Sequence, residues 1–117
     1  MKVSIIVPAY NEELRIGNML AAYLPFFSNR YEEDVEFIVV INGTTDGTEN
    51  IVRSHMKTMK SLHCIIEPRS VGKGGAVMLG FAQAKGEVIG FVDADGATPP
   101  EAFEALINGI GHSEAII

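Results

Sequence analysis

A single cysteine, Cys64, leaves this chain no intramolecular disulfide to form. It sits in the apolar run Leu62–Ile66 and reads as a small buried hydrophobe. No histidine or basic cluster is placed to activate its thiol. The three histidines, His55, His63 and His112, are scattered without metal-ligand spacing and read as structural or solvent-facing. A basic excess is also lacking. Nine Lys and Arg stand against fifteen Asp and Glu, a formal net charge of −6, which argues against a nucleic-acid backbone as partner. An anionic ligand would have to be neutralised locally by a metal, a lysine or helix N-termini. No apolar run approaches the length of a membrane span, and the start of the chain lacks the cleavage site of a signal peptide. Internal repeats, linkers and low-complexity segments are absent too. With 47% hydrophobic and 21% charged residues in 117, the composition fits one compact domain rather than a disordered segment.

What is present is a strict alternation. Val3–Val7 is a short β-branched apolar run ended by Pro8, the pattern of a buried parallel strand. Asn11 offers a helix N-cap, with Glu12 and Glu13 favourable in the first turn. Ile16, Met19, Leu20, Tyr23 and Leu24 then form one helical stripe that Pro25 should end. Val35–Ile41 is a second strand, followed by the turn cluster Asn42–Gly47. Asp46 and Glu49 mark the start of a helix carrying Ile51, Val52, His55, Met56 and Met59 on one face. Leu62–Ile66 is the third strand, closed by Pro68. The segment Gly72-Lys73-Gly74-Gly75 opens a helix in which Gly80 implies close packing against the sheet. Glu87–Val92 is the fourth strand. Thr98-Pro99-Pro100-Glu101 has the form of a capping box before a helix with Phe103, Leu106, Ile107 and Ile110 on its apolar stripe. Gly109 and Gly111 stop that helix, and Ala115–Ile117 starts a fifth strand. The order β-α-β-α-β-α-β-α-β predicts an α/β fold, a parallel sheet with helices on both faces. An apolar strand with no cap at the end leads us to expect a fragment of a longer protein.

The residues with chemistry all follow strand ends, where ligands bind in such sheets. Asp93 and Asp95 are two carboxylates, two residues apart, at the end of an apolar strand. Such oxygens suit Mg2+ or Mn2+ shared with a substrate's phosphates, although acidic turns after strands are common. Lys73 is either a solvated lysine in a glycine loop or a point charge for phosphate, helped by the N–H groups of Gly74 and Gly75. Tyr10, judged alone, reads more often as packing than as ligand contact, and Glu12 equally as ligand contact or as a complement to the helix dipole. A P-loop is excluded because Gly74 follows Lys73 where Ser or Thr is required. A dinucleotide fingerprint is excluded because the first loop has no glycine. Asp93-Ala94-Asp95-Gly96 matches the start of haloacid-dehalogenase-like phosphatases, but the lysine and further aspartates needed downstream are missing.

Four segments together resemble the family 2 glycosyltransferases of the GT-A fold. They are Ser4–Glu12, Gly43–Thr48, Gly72–Ala76 and Asp93–Asp95, in the family's order and spacing. The run Asp93-Ala94-Asp95-Gly96-Ala97-Thr98 is most similar to enzymes that load glucose or mannose onto dolichyl or polyprenyl phosphate. The resemblance implies a Rossmann-like GT-A nucleotide-diphospho-sugar transferase fold, truncated after the fifth strand. Residues 1–117 would be a single nucleotide-sugar-binding domain, part of a longer catalytic domain. It also implies roles by position. Pro8, Tyr10 and Glu12 would line the nucleoside pocket, Asn42 would lie near the base, and Lys73 would approach the nucleotide. Asp93 would face the ribose or the metal, and Asp95 would hold the Mg2+ or Mn2+ bridging the diphosphate. The donor would be a UDP- or GDP-hexose, transferred with inversion to a lipid phosphate or glycan. The setting would be cytoplasmic, at the cytoplasmic face of a membrane for the full-length protein. Two departures stand out. The family's Asp-Asp pair at the second strand end is here Ile41-Asn42, which puts base preference in question. The acceptor-activating carboxylate belongs to a later segment, so the isolated chain is expected to bind without transferring. The alternative expectations are a non-catalytic nucleotide-binding or assembly module, forming a homo-oligomer through an exposed sheet edge, and a sugar-phosphate nucleotidylyltransferase. The latter lacks its Gly-rich, Arg-containing first loop.

Overall fold

The computed structural model describes residues 2–109. Four strands alternate with four helices: β1 (Val3–Ala9), α1 (Ile16–Tyr31), β2 (Val35–Asn42), α2 (Thr48–Met56), β3 (Leu62–Glu67), α3 (Gly72–Gln83), β4 (Val88–Phe91) and α4 (Pro100–Asn108). A 3₁₀ turn, Glu32–Asp34, joins α1 to β2. The strands form one parallel sheet in the order β3-β2-β1-β4. The fifth strand expected at Ala115–Ile117, and the expected stripe and stop positions Ile110 and Gly111, lie outside the described residues. Among the described residues no helix is long and apolar enough to cross a membrane.

β1 and β2 are buried along their whole length, as their unbroken apolar runs predict. Alternate residues face opposite layers. Val3, Ile5, Val7, Phe37 and Val39 meet α1, α2 and α4, while Ile6, Ile38 and Val40 meet α3. Helices therefore cover both faces, three on one side and one on the other. α3 lies close to the sheet because Gly80 has no side chain: a Cβ there would be 2.6 Å from Ile6 Cγ2. Gly90 does the same for α4, where a Cβ would meet Phe103 Cζ at 2.8 Å.

Four local expectations are corrected. Pro25 does not end α1, which runs on to Tyr31. Phe27 lies beyond the proline and is fully buried, edge-on to Phe37 at 6.1 Å and Phe103 at 6.2 Å. Burying that ring outweighs one missing N–H. Asn11 is not the N-cap of α1, which starts at Ile16. Its backbone is in the left-handed region (φ 51°), and its Oδ1 accepts the Thr45 N–H instead. Thr98 makes no capping box either. Pro99 is the N-cap of α4 and no side chain bonds there, so a proline does take the first helical position, but it is Pro100, one residue later than a Thr98 cap implies. Cys64 is half-buried rather than buried, since β3 is an edge strand; burial still pushes its thiol up from the ordinary value.

β1 also extends past its expected end, through Pro8 to Ala9. Ile6 O accepts the N–H of Val92, so Ile6 faces β4, and Pro8, two residues on, faces the same way. β4 has left the ladder by then, its last rung being Ile6 with Phe91. The missing N–H of Pro8 therefore falls where the sheet opens and breaks no rung.

Candidate functional site

The sheet opens between β1 and β4. From β1 the chain winds through α1 to β2 on one side, and β4 is added on the other, so this is the topological switch point of the sheet. A cavity of about 350 Å3 lies at this rim. Pro8, Tyr10 and Glu12 reach it from β1 and its loop, Asn42 from the end of β2, Lys73 from the first turn of α3, and Asp93 and Asp95 from the segment after β4. All seven site residues expected from sequence thus line one cavity. Ala9, Ser70, Gly72 and Ala94 also line it and were not singled out from sequence. Small residues carry no chemical signal in a sequence; their place here follows from the loops that hold them.

Asn42 is almost fully buried, at 2% exposure. Its Nδ2 donates to Ala9 O at 3.2 Å, which fixes the amide, and its Oδ1 has no partner. A buried acceptor left unpaired costs roughly 1–3 kcal/mol unless a ligand or water meets it. Tyr10 is half-exposed at the mouth. The Glu12 carboxylate is mostly buried, with Oε1 2.5 Å from Arg15 Nη2 as an ion contact rather than an aligned hydrogen bond.

On the opposite wall, Lys73 Nζ lies 2.7 Å from Asp93 Oδ1 and 5.5 Å from the centre of the Phe91 ring. The Asp95 Oδ1 accepts the Ala97 N–H at 2.9 Å, which turns the chain after β4. Gly96 takes φ 76° in that turn. Both aspartates are exposed and present hard oxygen donors to the cavity. Among the described residues no cluster of three or more His, Cys, Asp or Glu forms a closed metal cage. The donor set fits an ion of the Mg2+ type, which takes one or two carboxylates and completes its shell with phosphate oxygens and water.

The loops that carry these groups are tied to one another. Glu12 N donates to Thr48 Oγ1 at 2.9 Å, Thr45 N to Asn11 Oδ1 at 2.9 Å, and Gly47 N to Glu13 Oε2 at 3.0 Å. Asp46 accepts from the hydroxyl and the N–H of Thr48 and from the Glu13 N–H. Burial pushes the Asp46 carboxyl up, but these hydrogen bonds outweigh it and hold the group below the usual carboxylate range. Asp46 does sit at the start of α2, as its sequence position implies, yet Glu49 pairs with Arg53 and not with the helix start. Gly43 joins the third loop: a Cβ there would be 2.8 Å from Ser70 Cα.

A parallel sheet with convergent polar loops at its switch point is the arrangement of a ligand-binding α/β protein, and this fold matches glycosyltransferase structures of the GT-A type. The chain belongs to glycosyl transferase family 2, whose model matches residues 4–117. It is 38% identical over 89% of its length to a dolichyl-phosphate beta-glucosyltransferase of Trichomonas vaginalis, and covers 33% of that protein. It is 36% identical over 93% of its length to the dolichyl-phosphate beta-glucosyltransferase of Mus musculus, covering 36% of it. The chain thus spans about a third of the length of these curated relatives. Among solved structures it resembles a mannosyltransferase from Pyrobaculum calidifontis in complex with GDP-Man and Mn2+, with TM-score 0.73 and 31% identity over 80% of this chain and 27% of that one. It also resembles S. aureus TarS in complex with UDP-GlcNAc, with TM-score 0.75 and 29% identity over 92% of this chain and 30% of that one.

Proposed function

We propose that residues 1–117 form the nucleotide-sugar-binding part of an inverting hexosyltransferase that uses a UDP- or GDP-sugar and delivers the sugar to a lipid phosphate or a glycan. One observation carries this reading: seven residues from four loops line a single cavity, and one of them, Asn42, holds a buried acceptor with no partner. The dolichyl-phosphate glucosyltransferases among the relatives support the lipid-phosphate acceptor, and the GDP-Man and UDP-GlcNAc complexes support the donor class.

The position of each residue in the cavity supports a role for it. Asn42 Oδ1 accepts from a base that offers a ring N–H, as uracil and guanine do and adenine and cytosine do not. Tyr10 covers the nucleoside from the mouth, and Pro8 forms the floor where the sheet opens. Lys73 moves from Asp93 toward the diphosphate, where its charge counters the phosphates beside the N-terminus of α3. Asp93 and Asp95 would hold the Mg2+ or Mn2+, with Asp93 on the side assigned to the ribose. The ion supplies Lewis-acid stabilisation of the departing diphosphate. In this assignment all three carboxylates of the cavity have other work, Glu12 paired with Arg15 and Asp93 and Asp95 given to the metal. The base that activates the acceptor is therefore assigned to residues outside 1–117, and this chain alone is expected to bind without transferring.

Calorimetry with UDP and with GDP, each with and without Mn2+, tests the reading. Metal-dependent binding of one of them is expected, with ADP and CDP weaker. Asp95→Ala should remove the metal dependence; binding of neither nucleotide in the presence of Mn2+ would sink the reading.

A further inference from the structure

We infer that Thr48, held by Asp46, is a positioning residue for the nucleotide site, acting through the backbone of Glu12. The inference rests on the nucleotide-binding reading above and adds a residue that touches no ligand. Thr48 is fully buried and is the first residue of α2. It stands one residue past the N-cap, Gly47, so its hydroxyl is not in the capping position of its own helix. Its N–H donates to Asp46 Oδ1 at 3.0 Å, and its hydroxyl donates to the same oxygen at 2.5 Å. With its proton committed to Asp46, the Thr48 oxygen is left as an acceptor, and it receives the Glu12 N–H at 2.9 Å. No side chain caps α2 at Gly47. The acceptor side of this hydroxyl therefore serves a loop 36 residues away rather than the helix it belongs to.

Glu12 is the residue at which that loop turns into α1. Its carbonyl accepts the N–H groups of Arg15 at 3.0 Å and Ile16 at 2.9 Å. Its side chain lines the cavity, and Tyr10 stands two residues before it. Asp46 holds the loop a second time, its Oδ2 accepting the Glu13 N–H at 3.3 Å. One carboxylate and one hydroxyl thus fix consecutive amides of the β1–α1 loop. Their loss would loosen the backbone from which Tyr10 and Glu12 project, leaving the ties at Asn11 and the Glu13 side chain.

The test uses the chain with three substitutions. Thr48→Val keeps the shape and removes the hydroxyl; Thr48→Ser keeps the hydroxyl; Asp46→Asn keeps an acceptor but weakens it and serves should the valine variant fold poorly. Amide hydrogen exchange at Glu12 and calorimetry with UDP and GDP in Mn2+ are the two readouts. Thr48→Val should speed exchange of the Glu12 amide and weaken nucleotide binding by about five-fold, the factor of one net hydrogen bond. Thr48→Ser should restore both, and Asp46→Asn should fall between. If the wild-type chain binds nucleotide and the valine variant binds it equally well, the positioning role is wrong while the nucleotide site stands. Weakened binding that serine fails to restore also overturns it, since packing and not the hydroxyl would then be responsible. A wild-type chain that binds neither nucleotide overturns the site reading, and this inference with it.

Discussion

The Lys73 ammonium lies 2.7 Å from Asp93 Oδ1 and joins the first turn of α3 to the segment after β4 at one wall of the cavity. Both side chains are about half exposed, so the pair adds little to stability, but it places a cation on a carboxylate proposed to bind a metal. Lys73→Met should therefore tighten Mn2+ binding to the nucleotide-free chain by about two- to five-fold, since competition and repulsion both disappear. Electron paramagnetic resonance of free Mn2+ measures this directly. Weaker Mn2+ binding in the variant would contradict a competing role for the lysine.

Gly43 and Gly74 should respond oppositely to alanine. Gly43 has φ 57°, and its Cβ would press on the Ser70 backbone at 2.8 Å, so Gly43→Ala should cost about 1–3 kcal/mol. A Cβ at Gly74 meets nothing within 4 Å and lies within α3, so Gly74→Ala should add about 0.5–1 kcal/mol. Urea unfolding of the two variants checks the pair.

Tyr23 should be visible in an alkaline titration. Its hydroxyl donates to Thr98 O at 2.7 Å, and burial, with a contribution from Glu101, pushes its pKa up to about 12. In the unfolded chain the phenol ionises near 10, so the protonated form favours the fold. That stability is complete below pH 10 and is lost as pH rises toward 12. Tyr31, raised by burial and by Glu104, shares the direction. Ultraviolet titration should show phenolate appearing late, and Tyr23→Phe should remove a late step at a cost of about 1 kcal/mol in stability at neutral pH.

Pro25 is exposed and sits inside α1, where it cannot donate to the carbonyl four residues back, that of Ala21. Pro25→Ala should restore that bond and raise stability by about 1–3 kcal/mol. A thermal midpoint unchanged or lowered would mean that the proline ring itself is needed at this position in α1.

Much of this molecule is written locally in its sequence. The β-branched runs at Val3 and Val35 gave parallel strands because residues buried on both sides can be apolar without alternation, while the run at Leu62 gave a parallel edge strand only partly buried. Gly80 announced a close helix-to-sheet contact because a glycine in a helix needs a reason. The seven cavity residues were legible because polar side chains at consecutive strand ends of a parallel sheet must converge on one rim. The errors are equally instructive. Pro25, Asn11 and Thr98 carry strong local signals, and each was overruled by a distant partner: the aromatic cluster around Phe27, the Thr45 amide, and the Tyr23 hydroxyl on the Thr98 carbonyl.

The sequence by itself determined the alternation of strands and helices, the faces they bury and the rim at which the polar residues gather, because side-chain periodicity and strand direction dictate these. It also carried the family, through four short segments in order. Only the tertiary structure decided that Asn42 keeps an unpaired buried oxygen, that Lys73 rests on Asp93, and that Thr48 holds Glu12 across 36 residues. Each of these depends on which loops the sheet order brings side by side, a property of the folded chain that no local pattern of residues encodes.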